Sequence, residues 1–464
     1  MSFYKAFSPY LFKLDPERAH SLAEWYLRRI APLPLMQDIL AARYCVVDER
    51  LRTQVAGMEF YNPVGLSAGF DKNGTMVKGL SSLGFGFLEL GTITQAPQSG
   101  NSKPRLFRFV EEQSLQNAMG SNNQGSLEIS KRLRKFYPYS IPLGINVGKN
   151  KVIAQSDSLK NYENVLLDFV DVGDYFVFNL SSPNTPNLRE LQNVNFVQEL
   201  FTMARSHTSK PLFVKLSPDM EAQKMLKVAE MSIASGASGI IATNTTIDYS
   251  LIEGAKDIGG ISGLALREKS REFFEILSEA FFGKTTLISV GGINNAQEAY
   301  ERIKLGASLI QVFSAMIFEG PSLCRSINQG LLECLERDGF AHINEALGKG
   351  IGIKKTKKTS SGKTNNKTEK PITQDSKTPA KRGRKPGSQT SKTQDTKSQS
   401  NDVVDATKSH RQKSETKMIS GADSDKTKSH SPRVKKNTPK VEEVKSLDNK
   451  TSDQIQDNQS KVNE

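Results

Sequence analysis

Residues 175–186 read Tyr-Phe-Val-Phe-Asn-Leu-Ser-Ser-Pro-Asn-Thr-Pro, an aromatic and β-branched run that passes directly into small polar residues. The apolar part is too short for a helix and is bounded by turn formers, so it reads as a strand buried on both faces. The same transition recurs along the chain. Short apolar runs stand at 64–68, 85–91, 141–147, 175–180, 211–216, 239–243, 286–290 and 309–313. Amphipathic stretches of helical length, among them 190–205, 221–235, 267–282 and 296–305, lie between them. Strands alternating with helices in this way predict an α/β chain folded as a (β/α)8 TIM barrel, with a doubly wound open sheet as the alternative. Two connections exceed a plain turn. Residues 93–124 are expected to hold a small β excursion (105–110 and 114–117), and 244–266 a Gly-rich, mobile loop over the site.

Outside the rhythm the chain changes character twice. Phe3, Phe7, Tyr10, Leu11 and Leu14 share one helical face, and Asp15-Pro16-Glu17 opens a second helix that carries Ala19, Ala23, Tyr26, Leu27 and Ile30 on one stripe. Pro32 and Pro34 are expected to end it. This helical hairpin (1–40) either packs on the barrel's own core or lies in a membrane interface. No apolar run reaches the ~18 residues of a spanning helix, and no signal peptide is evident. From Lys349 onward there is no aromatic residue, so 346–464 is expected to be a disordered tail that cannot bury enough apolar surface to fold. Residues 351–464 carry 27 Lys and Arg against 14 Asp and Glu, whereas the rest of the chain carries 36 of each. The net charge of +13 therefore belongs to the tail and says nothing about nucleic-acid binding by the barrel (41–345). Lys381-Arg382-Gly383-Arg384-Lys385-Pro386-Gly387 resembles a minor-groove-binding basic arm, so nucleic acid is a partner only through the tail. Cys45, Cys324 and Cys334 form no CxxC and are read as packing residues in a reducing compartment.

The polar clusters follow the strands. They include Ala68-Gly69-Phe70-Asp71-Lys72, Gly91-Thr92, Asn146, Asn179 through Pro186, Lys215, Thr243-Asn244-Thr245, Gly291-Gly292-Ile293 and Phe313-Ser314-Ala315. In a parallel barrel all of these fall on one rim, where the fold builds its sites. Gly291-Gly292 suits a phosphate cradle, because a backbone without Cβ lets N–H groups approach an anion. Lys72 and Lys215 have no evident acidic partner and ask for an anionic ligand. Asn117, Asn146, Asn179, Asn184 and Asn244 supply the donors and acceptors of a flat, carbonyl-rich heterocycle. None of the histidines follows a strand, and Asp71 is the one acid in these clusters, so neither a metal site nor a Ser–His–Asp triad has its residues. The difficult chemistry is left to a bound cofactor, and FMN fits both halves of the pattern.

AGFDKNG (68–74), ELGTIT (89–94), RLFR (105–108), QNAMG (116–120), GINVGKN (144–150), NLSSPNTP (179–186), ATNTT (242–246), GGISG (259–263) and SVGGI (289–293) stand in an order and spacing that closely resembles dihydroorotate dehydrogenases. The resemblance covers about residues 3–340. The hairpin running into LDPERAH (14–20), and a serine where the soluble class has a cysteine base, resemble the quinone-dependent class 2 members. It implies FMN contacts at Ala68, Gly69, Lys72, Thr92, Asn146, Asn179, Lys215, Thr243, Gly263, Gly292, Phe313 and Ser314. It implies substrate contacts at Lys72, Asn117, Ala118, Met119, Gly120, Ser121, Asn179, Asn184, Asn244 and Thr245. Ser182 is then the base that takes the C5 proton of dihydroorotate while hydride leaves C6 for FMN, with Lys72 stabilising developing charge and proton relay through water or a neighbouring hydroxyl. His20 and Arg105 match positions that line a quinone tunnel, which implies peripheral residence on the cytoplasmic face of the cell membrane. The sequence departs from the family at Ala118, at Ser121, where phenylalanine is usual, and at Phe313, where tyrosine is common. Two other readings carry different expectations. A flavin barrel that modifies tRNA lacks its catalytic cysteine here, and a nucleic-acid-binding protein on a degenerate barrel leaves the rim pattern without a purpose.

Overall fold

In a computed structural model, described over residues 3–352, the apolar runs become parallel strands closed into an eight-membered barrel. In chain order the strands are β1 (Thr53–Val55), β2 (Met58–Phe60), β3 (Val64–Leu66), β4 (Phe87–Ile93), β5 (Leu106–Phe109), β6 (Ser114–Asn117), β7 (Leu143–Val147), β8 (Tyr175–Asn179), β9 (Leu212–Leu216), β10 (Gly239–Ala242), β11 (Gly260–Gly263), β12 (Thr286–Val290) and β13 (Leu309–Val312). The barrel order is β3-β4-β7-β8-β9-β10-β12-β13, closing on β3. Every residue of β7, β8, β9, β10 and β13 is buried, as strands covered on both faces must be. The helices are α1 (Phe3–Leu11), α2 (Pro16–Arg29), α3 (Pro34–Tyr44), α4 (Val77–Ser81), α5 (Ser126–Arg134), α6 (Ser158–Phe169), α7 (Val194–His207), α8 (Ala222–Ala234), α9 (Arg267–Phe281), α10 (Ala296–Lys304), α11 (Ser314–Glu319), α12 (Leu323–Asp338) and α13 (Ile343–Ala346).

Two apolar regions form the core. One lies between the strands and the outer helices. The other fills the N-terminal half of the barrel: the β1–β2 hairpin lays Phe60 edge-on to Phe87, which meets Tyr175, which in turn meets Phe213. Gly144 is required there, since a Cβ at that position would lie 2.1 Å from the Tyr175 ring. With one half of the interior packed by rings, the other half is left for polar chemistry.

The structure departs from expectation in three places. Pro34 does not merely end α2; it stands in the first turn of α3, where a missing N–H costs nothing. Residues 244–266 are not a free loop. Within them β11 pairs antiparallel with β6 to complete a three-stranded sheet with β5, and Gln116 Nε2 donates to the Lys256 and Ile258 carbonyls. The chain also stays on the barrel beyond 345: Ala346 is buried and the Gly350 N–H donates to Lys304 O at 2.7 Å. The remainder of the basic tail, including 381–387, lies outside the described residues.

The α1–α2 hairpin is tied down at both ends. Tyr4 Oη donates to Ile317 O (2.6 Å), and Glu17 accepts both arms of Arg105 (3.0 and 3.2 Å). Its outer surface and that of α3 nevertheless expose Phe7, Tyr10, Trp25 and Leu35, at 49, 65, 55 and 74 %. No helix among the described residues is long and apolar enough to cross a membrane.

Candidate active site

Toward the C-terminal strand ends the barrel interior becomes polar. Glu89 on β4 accepts from Asn146 Nδ2 (2.7 Å), Gln311 Nε2 (2.5 Å) and Lys215 Nζ (3.4 Å). Lys215 also donates to Ser67 Oγ (2.9 Å) and Gln311 Oε1 (3.4 Å). Lys215 therefore does have an acidic partner, contrary to the expectation from sequence. Glu89 sits inside an apolar strand and was not among the rim clusters. Above this pair the amides join the strand ends. Asn146 Oδ1 accepts from Thr92 Oγ1 (2.6 Å), Asn179 Nδ2 reaches Thr92 Oγ1 (2.8 Å), and Asn244 Nδ2 reaches Asn179 Oδ1 (3.2 Å).

Ser182 lies just past β8 and is 9 % exposed. Its Oγ accepts the Asn184 N–H at 3.3 Å, and no histidine or carboxylate among the described residues bonds to it. Asn184 Nδ2 donates to Asn117 Oδ1 (2.9 Å), so the β5–β6–β11 sheet brings Asn117 over the mouth. Asn184 Oδ1 and Thr245 Oγ1 are buried and have no hydrogen-bond partner among the described residues. A buried polar atom left unpaired costs ~1–3 kcal/mol. Two of them beside Ser182 mark a place where a polar molecule belongs.

Lys72 Nζ has no hydrogen-bond or ion-pair partner among the described residues. Burial and the nearby Arg105 guanidinium bring its ammonium down to about 8. Asp71 is not chemical. Its carboxylate accepts the N–H groups of Asn73, Thr75 and Met76 (3.1, 3.1 and 2.7 Å) and so shapes the loop that presents Lys72. His20 on α2 stands edge-on to Phe70 (5.2 Å), which meets Phe313 (6.0 Å). Burial, then the Lys72 charge, hold the imidazole down to about 4, so it is neutral in the physiological range.

On the far side, Gly291 and Gly292 take left-handed φ values of +118° and +72°. Among the described residues, the N–H groups of Gly292, Ile293, Ser314 and Ala315 meet no acceptor, and Ser262 Oγ lies 2.9 Å from Ser314 Oγ. Free N–H groups from two adjacent loops suit a phosphate.

One cavity of about 790 Å³ joins these features. All the residues expected to hold FMN line it, as do Ser182, Asn117, Met119, Ser121, Asn184, Asn244, Thr245 and His20. It continues between α1 and α2, past Phe7, Leu11 and Ala19. Three expected residues do not line it. Ala118 and Gly120 brace the loop through their carbonyls, which accept from Asn101 Nδ2 (2.9 Å) and Gln98 Nε2 (3.0 Å). Arg105 is occupied by Glu17, which does line the cavity, and by the Ser99 and Asn101 carbonyls (2.7 and 2.8 Å), so it fastens α2 to the barrel at the edge of the cavity.

A closed parallel barrel whose polar mouth opens into an apolar passage has the architecture of a TIM-barrel enzyme with its site on the C-terminal rim. The family model for dihydroorotate dehydrogenase matches residues 50–335, and the chain belongs to that family. It is 51 % identical over 345 residues to a dihydroorotate dehydrogenase (quinone) of Helicobacter acinonychis, covering 74 % of this chain and 98 % of the relative. It is 48 % identical over 350 residues to that of Sulfurimonas denitrificans, again 74 % of this chain and 98 % of the relative. Among solved structures, the dihydroorotate dehydrogenase of Eimeria tenella in complex with ferulenol matches with a TM-score of 0.66 and 32 % identity, over 72 % of this chain and 95 % of that one.

Proposed function

We propose that this chain oxidises dihydroorotate to orotate in pyrimidine biosynthesis, with FMN in the barrel mouth and a membrane quinone as the final acceptor. One observation carries the reading: a single cavity joins Ser182 and the unpaired Asn184 and Thr245 oxygens to an apolar passage between α1 and α2. When bound, FMN supplies a two-electron acceptor that a quinone can regenerate. Lys215, Asn146, Asn179, Thr92, Ala68, Gly69 and Thr243 would hold its ring system; Gly263, Gly292, Phe313 and Ser314 would hold its phosphate end. Lys72 meets the substrate's carboxylate and developing negative charge, while Asn117, Asn184, Asn244 and Thr245 fix the ring through their amides and hydroxyl. Ser182 removes the C5 proton.

The exposed aromatic and aliphatic residues of α1–α3, with Arg28 and Arg29 exposed beside them, support a peripheral seat on the cytoplasmic face of the membrane. From that seat a quinone enters the passage past His20. Full-length protein mixed anaerobically with dihydroorotate should lose its flavin absorbance and regain it on adding quinone but not fumarate. A colourless protein, or one that dihydroorotate does not bleach, overturns the proposal.

The Lys72 ammonium also makes the substrate site pH-dependent. It is charged below about 8 and is lost as pH rises through that value. Orotate should therefore bind progressively more weakly above pH 8, by roughly 3–10-fold between pH 7 and 9, as a charge-assisted contact is lost. In Lys72→Met, titration of orotate should show weaker binding at pH 7 and no such step.

A further inference from the structure

Beneath the Gly291-Gly292 turn lies a guanidinium that no step above uses. Arg302 on α10 has none of its side chain exposed. Its Nε donates to Glu298 Oε1 (2.7 Å) and one terminal nitrogen to Ser289 Oγ (3.1 Å). The other terminal nitrogen donates to Arg267 O (3.0 Å), Ser270 Oγ (2.9 Å) and Gly291 O (3.2 Å). Ser270 Oγ adds a second donor to Gly291 O at 2.8 Å, and Arg267 Nε donates to Gly292 O at 3.0 Å. Two consecutive carbonyls of the turn are thus drawn inward by hydroxyl and guanidinium donors.

Peptide geometry turns this into a statement about the cavity. In a trans peptide the N–H points opposite to the C=O of the same planar unit. Gly291 O shares its plane with Gly292 N–H, and Gly292 O with Ile293 N–H; neither peptide is among the cis bonds of the chain. Holding both carbonyls toward Arg302 and Arg267 therefore aims both N–H groups the other way. Both residues line the cavity, and neither N–H has an acceptor among the described residues.

We propose that Arg302 is a positioning residue for phosphate: by fixing the Gly291-Gly292 turn from behind, it makes the cavity select a phosphorylated flavin over its unphosphorylated counterpart. The inference rests on the FMN reading above. A buried guanidinium is costly to place, and what distinguishes this one from simple packing is that its acceptors include the turn's own backbone.

The test compares two ligands that differ only by the phosphate. Full-length protein is equilibrated with equal FMN and riboflavin, freed of unbound flavin, and the bound flavins are released and quantified. Wild type should hold FMN in large excess. Arg302→Met should lower the FMN-to-riboflavin ratio by about 10–100-fold, the span expected when hydrogen bonds to a charged group lose their alignment, while riboflavin uptake changes little. Arg302→Lys keeps the charge but not the fork and should fall between. Ser270→Ala, a milder change, should lower the ratio by about 3–10-fold. If the methionine variant does not fold, the other two decide. A ratio equal to wild type in the folded variants, even with both affinities reduced together, overturns the inference and assigns Arg302 to packing alone. Wild type that binds neither flavin fails the FMN reading itself and takes this inference with it.

Discussion

Ser182→Ala should slow anaerobic flavin reduction by dihydroorotate by about 10²–10⁴-fold, the usual cost of losing a general base, and leave reoxidation by quinone near its wild-type rate. The asymmetry follows from where Ser182 stands. Its Oγ is nearly buried beside the Asn117–Asn184 pair, so it belongs to the substrate end of the cavity and not to the passage between α1 and α2. The contact it makes, accepting the Asn184 N–H at 3.3 Å, leaves its proton free to be passed on. A hydroxyl without a histidine or carboxylate partner is a weak base, so its own proton must move on as the C5 proton arrives. Stopped-flow absorbance resolves the two half-reactions. A near wild-type reduction rate would remove Ser182 from the role; equal losses in both half-reactions would mean the substitution had disturbed the whole cavity.

The barrel was legible because parallel strands buried on both faces must be written as short, nearly uninterrupted apolar runs, and all eight begin and end within two residues of the run that announced them. The lining of the mouth was legible for a related reason. A polar cluster immediately after such a run has only the rim to occupy. Pairings across long separations were not legible. Glu89 interrupts the run 85–91, and one carboxylate in an apolar strand signals a buried partner without saying which. Lys215 is 126 residues away, and only closure of the barrel joins them. Likewise Gly260-Ile261-Ser262-Gly263 has the composition of a loop, yet it pairs with β6 across about as long a separation. Local propensity cannot forecast that contact. Arg105 was assigned to the tunnel from sequence alone, and what could not be read there is that Glu17 on α2, which lines the cavity, takes its guanidinium.

Lys215→Met should destabilise the protein by about 3–5 kcal/mol, the cost of removing one partner from a buried ion pair, and should abolish retention of flavin. The side chains of Lys215 and Glu89 are 5 % and 0 % exposed, so solvent screens neither. Asn146 and Gln311 supply Glu89 with neutral N–H donors at 2.7 and 2.5 Å, which solvate a carboxylate without opposing its charge. With the ammonium removed, the folded state must either keep an uncompensated charge or bind a proton that the exposed, unfolded carboxylate does not hold at neutral pH. The second route makes the defect pH-dependent with a definite sign: the deficit relative to wild type should shrink as pH falls toward the ordinary carboxylate range near 4. Denaturant titrations at pH 7 and pH 5 on flavin-free wild type and variant measure this directly. A deficit below about 1 kcal/mol, in the range of a solvent-exposed pair, would show that Glu89 does not depend on Lys215. The polar half of the barrel would then be organised by its amides and not by the charge pair at its centre.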